Sequence, residues 1–337
     1  MDQQNEKKNY TQKILENKTE LIGPTEPKRI AYVTNRDDNT VSVIDTTTNT
    51  VVGFPIPVGL SPSGIAIAHT LNGTFAYVAN SNSDIVSVIN TTTNTVTSNI
   101  IVGVGPSAIA IANTKNGIFA YVISSISSSI TVINTATNTV IGSPISVGLS
   151  PSGIAIANTS NGVFAYITNF SGNTVSVIDT TTNTVIGSPI LVGNRPGEIT
   201  TANTSNGVFA YVINRDSNTV SVIDTTTNTV IGSPIPVGNR PDGITVANTL
   251  NGFFVYTTNS NDNNVSIIDI ATNTVVGFPI PVGKRPVGIA IANRANGIFA
   301  YVINQDDNTV SVIDTTANTV IGSPISVGNN PVGIAIK

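Results

Sequence analysis

Hydrophobic positions along the chain follow a repeating cadence. From Pro151 to Gly193 the sequence reads PSGIAIANTSNGVFAYITNFSGNTVSVIDTTTNTVIGSPILVG. Two nearly continuous apolar stretches flank an Asn-Gly, an alternating stretch follows, and a Thr/Asn cluster separates it from a fourth. The cadence occurs seven times. One tyrosine marks its register, at Tyr32, Tyr77, Tyr121, Tyr166, Tyr211, Tyr256 and Tyr301, with spacings of 45 residues and a single spacing of 44. A fixed period of this length signals a repeat architecture. Short runs rich in Val, Ile, Thr and aromatic residues, bounded by Gly, Asn, Ser and Pro, are strand patterns. Each unit therefore predicts four strands, in this copy Gly153–Ala157, Val163–Asn169, Thr174–Thr180 and Thr184–Val192.

The connections are short. Asn161-Gly162 is a hairpin signal, and the Thr180–Asn183 cluster offers side chains that bond their own backbone in a turn. Short hairpins make antiparallel sheets. The first two strands are apolar at successive positions, so both of their faces must be buried. Gly, Ala and Ile on the first strand and Phe, Tyr and Val on the second suit sheets converging on an axis. The third strand alternates, with Ser and Thr interspersed, as expected further out. The predicted fold is an all-β, seven-bladed β-propeller of four-stranded antiparallel blades.

The ends of the pattern predict how the ring closes. The repeat begins at a second strand, Arg29–Asn35, and finishes at a first strand, Gly333–Lys337. The last strand is thus expected to complete the first blade. Six fourth strands read like VIGSPIPVG. The second copy, Val96–Gly103, is one residue shorter, which predicts a β-bulge near Gly-x-Pro in the other six.

Composition narrows the function classes. The 337-residue chain has no cysteine, one histidine and a net charge of −4. Thiol chemistry is excluded, and nucleic acid is not an expected partner. Stretches of 18 apolar residues are absent, so no membrane span is predicted. Residues 1–29 hold five acidic and six basic side chains, whereas the remaining 308 hold fourteen and nine. The chain divides into a polar, flexible N-terminal arm at 1–28 and the repeat region at 29–337.

The tyrosine-centred strand reads AYVTN at Ala31–Asn35, AYVAN at Ala76–Asn80 and AYITN at Ala165–Asn169. With NTVSVID and PVGxxPxGIA recurring through the units, residues 29–337 resemble the YVTN β-propeller repeat family. That resemblance implies a propeller of the type found in prokaryotic surface-layer and cell-surface proteins. Catalytic propellers with this kind of repeat, such as haem-d1 nitrite reductases, rely on residues not matched here. Leu21–Pro27, LIGPTEP, is similar to the leader of exosporium proteins in spore-forming bacilli, although its Pro-rich flank is missing. The resemblances imply a cell- or spore-surface location, with the cytoplasm as the alternative because no signal peptide precedes the repeats. They imply a non-catalytic structural or interaction module, monomeric or assembled on a surface, with a protein or carbohydrate partner at one face.

Few residues offer chemistry. His69 sits at a turn position that other units fill with Asn, so haem ligation, structural zinc and Ser-His-Asp catalysis lose their usual parts. No cofactor, metal or catalytic residue is expected. Asp45, Asp179, Asp224, Asp269 and Asp314 recur at the end of the third strand, with Asn90 and Asn134 in the other copies, which reads as turn capping. Asp37/Asp38 and Asp306/Asp307 lack calcium-loop spacing. Loops between units and loops between second and third strands should share one face of the disc. On it one sector is neutral, around Leu60, Val104, Leu149 and Ser124–Ser129. The other is charged, with Arg195, Arg240, Lys284 and Arg285 between units and Arg36, Arg215, Asp216 and Asp306 nearby. Glu198 stands where other units have Gly or Ala, Asp242 is its neighbour one unit on, and Thr200 and Thr201 replace Ala and Ile just behind. Arginine forks suit carboxylate, phosphate or sugar ligands. The alternative function is accordingly a ligand-binding or hydrolytic, lactonase-like propeller using Arg195, Glu198, Arg240, Asp242, Lys284, Arg285, Asp216 and Asp306 at the channel mouth.

Overall fold

A computed structural model describes residues 29–337. The arm at 1–28 and its leader-like segment lie outside the described residues. Those described form seven antiparallel sheets and no helix. Blades 2 to 7 occupy residues 62–101, 106–146, 151–191, 196–236, 241–281 and 286–326. Blade 1 combines residues 30–57 with the final strand, Pro331–Ile336, which pairs Ala31 with Ile336, Tyr32 with Ala335 and Val33 with Ile334. Lys337 N donates to Ile30 O at 2.8 Å beside it. The ring is closed, so no long sheet edge is left along the axis.

The core is seven slabs, one between each pair of adjacent blades. Between blades 4 and 5, for example, Tyr166, Val175 and Val177 pack on Ile199, Ala210, Val212 and Ile223. Small Ala and Gly on the innermost strands let the blades converge. A Cβ on Gly153 would fall 2.6 Å from Gly197 O in the next blade, and one on Gly333 would fall 2.2 Å from Ser63 O. The seven register tyrosines are almost fully buried, each contributing about 2 kcal/mol of apolar burial. Every one also reaches the next blade. Tyr166 Oη donates to Asn228 Oδ1 at 2.5 Å, Tyr121 to Asn183 at 2.6 Å, and Tyr301 closes the circle to Asn49 at 2.5 Å. Those asparagines end the Thr/Asn turns in the left-handed region, with φ between 53° and 56°, where Asn is tolerated better than most residues. One residue thus makes the turn and ties the blades.

Two details add to the sequence reading. The third-strand serines are buried. Ser42, Ser176, Ser221 and Ser311 are at most 3% exposed and accept from the Nδ2 of Asn35, Asn169, Asn214 and Asn304 at 2.8–2.9 Å. These asparagines end the second strands and also hold the loops between blades, as when Asn214 Oδ1 accepts from Gly193 N at 3.0 Å. Polar residues appear on this strand because a buried network uses them. The fourth-strand irregularity is more varied than one bulge. In blade 4, Val175 pairs with Ile190 and Val177 with Ile186, a two-residue excess around Gly187. In blades 1 and 6 the same excess, at Gly53-Phe54-Pro55 and Gly277-Phe278-Pro279, divides the strand in two. The short copy in blade 2 keeps an excess of one, at Thr97.

Candidate functional site at the axial mouth

The disc has two faces, and alternating strand direction puts the loops between blades beside the loops between second and third strands. Arg215 N donates to Arg195 O, Ser125 N to Gly105 O and Gln305 N to Arg285 O at 2.9–3.1 Å, so these loops do form one face. At its centre a cavity of about 190 Å³ opens on the axis. Its wall is glycine and isoleucine from the innermost strands, including Gly64, Ile109, Ile154, Gly243, Ile289 and Gly333. Three ionisable side chains enter this apolar ring: Glu198, Arg215 and Asp242.

Each reaches the axis through a local change in the repeat. The positions equivalent to Glu198 are Gly64, Ala108, Gly153, Gly243, Gly288 and Gly333, where close strand approach favours small residues. Glu198 alone places a carboxyl group there. The residue before it, Gly197, stands where other units have Ser, Asp or Val. A Cβ on Gly197 would lie 2.9 Å from Arg215 Nε, so the missing side chain makes room for the guanidinium. Arg215 comes from the second-to-third-strand loop of blade 5, and its Nη2 bonds the Asp242 carboxylate of blade 6. Asp242 is 9% exposed. Arg215 Nε has no protein partner. Phe170 of blade 4 flanks the group, with the Arg195 and Arg215 guanidinium carbons 5.4 and 5.9 Å from its ring centre, within cation–π range.

The electrostatics follow from this confinement. Burial pushes the Glu198 carboxyl up to about 7; Arg215 opposes the shift and Asp242 adds to it. Asp242 is also raised by burial, against the pull of Arg215, Arg240 and Arg285. Near neutral pH the site therefore holds a carboxyl group that both donates and accepts protons beside an Arg–carboxylate pair. Such a set can hydrogen-bond hydroxyls from both sides and can supply or take one proton.

The remaining candidates divide differently from the sequence expectation of one charged sector. Arg195 pairs with Asp216 at 3.3 Å and Arg285 with Asp306 at 3.5 Å, all more than half exposed, so these are solvated rim pairs. Arg195, Arg240 and Arg285 occupy the left-handed position before proline, with φ of 49°, 52° and 51°, and their backbone amides donate to Asn173, Asn218 and Asn263. Lys284 is exposed, and its backbone amide donates to Asp307 Oδ2 at 2.7 Å. Asp38 likewise fixes a loop, accepting from Asn329 N and Nδ2 at 2.7 and 2.9 Å. No group of three or more metal-ligating side chains occurs among the described residues. The Thr201 hydroxyl donates to Ile156 O at 2.9 Å, a contact between blades. His69 is exposed, 3.2 Å from Thr74 Oγ1. The recurrent Asp and Asn residues cap turns, as Asp179 Oδ1 does for Thr181 N at 2.8 Å. Of the eight predicted site residues, Glu198 and Asp242 line the cavity. Arg215, named only as a neighbour from the sequence, joins them.

The fold and site define a seven-bladed β-propeller with an acidic group at its axis. No protein-family model matches the chain, and no curated protein sequence matches it either. The likenesses to the YVTN repeat and to the exosporium leader rest on their motifs alone. Solved structures do match. A protein of unknown function from Desulfotomaculum acetoxidans has a TM-score of 0.73 at 20% identity, covering 91% of this chain and 98% of its own. A 6-phosphogluconolactonase candidate from Bacteroides uniformis has a TM-score of 0.70 at 15% identity, covering 92% and 100%. Virginiamycin B lyase from Staphylococcus aureus has 0.66 at 16%, covering 91% and 93%. At these identities the likeness is one of fold.

Proposed function

We propose that this propeller is a binding module that takes a small, hydroxyl-rich ligand, or the end of a glycan, at the axial mouth. One observation carries the reading. In a chain whose units are nearly uniform, two departures at the innermost strand, Gly197 and Glu198, bring a carboxyl group and the Arg215 guanidinium into one axial cavity, where Asp242 joins them. A purely structural ring has no need of a carboxyl group at a glycine position. The motif resemblances support a cell- or spore-surface setting, in which such a module would engage surface glycans or proteins. The test is calorimetric titration with a panel of neutral sugars, sugar acids and oligosaccharides. Saturable binding lost in Glu198→Gln and Arg215→Ala supports the site. No binding by any panel member, or binding unchanged in both variants, removes it.

A second reading, hydrolysis of a lactone or similar ester, is favoured by the Glu198 carboxyl at about 7 beside a fixed guanidinium, a suitable acid/base pairing near neutral pH. It predicts turnover with a pH limb near 7 that disappears in Glu198→Gln.

A further inference from the structure

The far end of the channel carries a second cavity, separate from the axial mouth. Each innermost strand starts at the mouth and runs to the opposite face, so Asn203 lies about 17 Å along its strand from Glu198. There a cavity of about 560 Å³ opens, mainly between the innermost strands of blades 5 to 7. Its walls include Thr201, Asn203, Thr245, Asn248, Phe253 and Asn293, and none of its lining residues is ionisable. It shares only Ile289 and Ile334 with the mouth cavity, so apolar side chains lie between the two. Three departures from the repeat meet in it. Thr245 stands where five units have Ala, Thr201 where the others have Ile or Val, and Phe253 where the other five hairpins have Thr, Ile or Val. Phe253 pairs with Asn248 across its hairpin, which sets both side chains on one side of the sheet. The Thr201 hydroxyl is held by Ile156 O. The Thr245 hydroxyl and the exposed side-chain amides of Asn203, Asn248 and Asn293 bond nothing among the described residues.

We infer that this cavity is a binding site for an uncharged saccharide. The chemistry of the lining selects that class. A sugar ring presents hydroxyls at its edge and C–H bonds on its face. Three free amides and a free hydroxyl offer both donors and acceptors, and so meet a sugar hydroxyl in either sense. Phe253, partly buried against the core between blades 5 and 6, supplies the one aromatic surface of the lining, against which the C–H face can lie. A lining without charge counts against phosphate, carboxylate and ammonium ligands, which need a partner charge once they leave water. The volume falls within the roughly 300–1,000 Å³ of small-molecule pockets. The fold itself does not require these side chains, because five units use Ala at the Thr245 position and two use Val at the Phe253 position. The site stands apart from the axial function proposed above.

Saturation-transfer NMR on the full-length chain tests this with glucose, mannose, galactose, N-acetylglucosamine and their disaccharides. At least one should bind saturably, with a Kd of roughly 0.1–10 mM. Phe253→Val should weaken that binding at least fivefold and Thr245→Ala at least twofold. Both changes restore residues that other units carry, so the circular dichroism spectrum should stay unchanged. Glu198→Gln should leave the Kd within twofold, whereas a sugar held at the axial mouth would respond to Glu198→Gln and ignore Phe253→Val. Binding of that second kind alone overturns the inference. Binding unchanged in Phe253→Val overturns it, as does the absence of binding by every panel member up to about 50 mM.

Discussion

Replacing Glu198 with glutamine isolates the cost of holding one ionisable carboxyl at the axis. Folding raises its pKa from the ordinary 4.5 to about 7. Below 4.5 the group is protonated in folded and unfolded chains alike and has no effect. Between 4.5 and 7 the unfolded chain releases a proton that the folded chain keeps, so stability falls as pH rises. Above 7 both forms are ionised and the whole loss is present. At 1.36 kcal/mol per pKa unit this amounts to about 3 kcal/mol, an upper value because the carboxyl keeps some contact with channel water. Glutamine has the same shape without the charge. Glu198→Gln should match the parent in urea unfolding at pH 4 and exceed it by up to about 3 kcal/mol at pH 8. The protonation itself can be followed directly. Glu198 is the only glutamate in residues 29–337, so carbon-13 labelling of glutamate leaves one propeller carboxyl signal, expected to titrate near 7. Parallel pH profiles for the two proteins, or a signal that titrates near 4.5, would refute the burial argument.

Other consequences are simpler to read. Deleting residues 332–337 removes the strand that pairs with Ala31–Asn35. The partly buried Val332, Ile334 and Ile336 should each forfeit about 1.5 kcal/mol, so a melting temperature unchanged by this deletion would rule out closure by this strand. Tyr121→Phe keeps the buried ring but drops the bond to Asn183 and should cost about 1 kcal/mol in a denaturant midpoint; a silent substitution would deny the hydroxyl any role between blades. Gly148→Ala should destabilise by about 1–3 kcal/mol, since its Cβ would lie 2.4 Å from Asn169 Cγ, and it should act mainly on the loop between blades 3 and 4.

The architecture was legible because the features that build it recur: seven register tyrosines and six Asn-Gly hairpins, with the one missing hairpin marking the split first blade. The role of the third-strand serines was not legible. Alternation reads the same whether a polar residue faces water or a buried partner, and the Asn donors lie one strand away. The axial site was half legible. Glu198 stood out against six small residues at its position, and Asp242 was placed with it. Arg215 looked like one of several loop charges, and what separates it from Arg195 and Arg240 is the empty Cβ position of Gly197. That signal is present in the chain, as a lone glycine next to a lone glutamate. Reading it requires knowing that a loop from the same blade folds back over that strand, which is a fact of topology.

The tyrosine-to-asparagine ties also order the folding of the ring in time. Six of them span only 61 or 62 residues, so each forms as soon as neighbouring units are structured. The seventh, Tyr301 to Asn49, spans 252, and closing that longer loop costs about 1 kcal/mol more in chain entropy. The last seam to zip should be the one between blades 7 and 1. It is here that Arg294 replaces the usual hairpin threonine, lies 4.1 Å from the Phe299 ring centre and donates to both Tyr301 and Asn49. The joint expected to close last thus carries an extra clasp, and a ring that opens by chance would be expected to open, and to reclose, there.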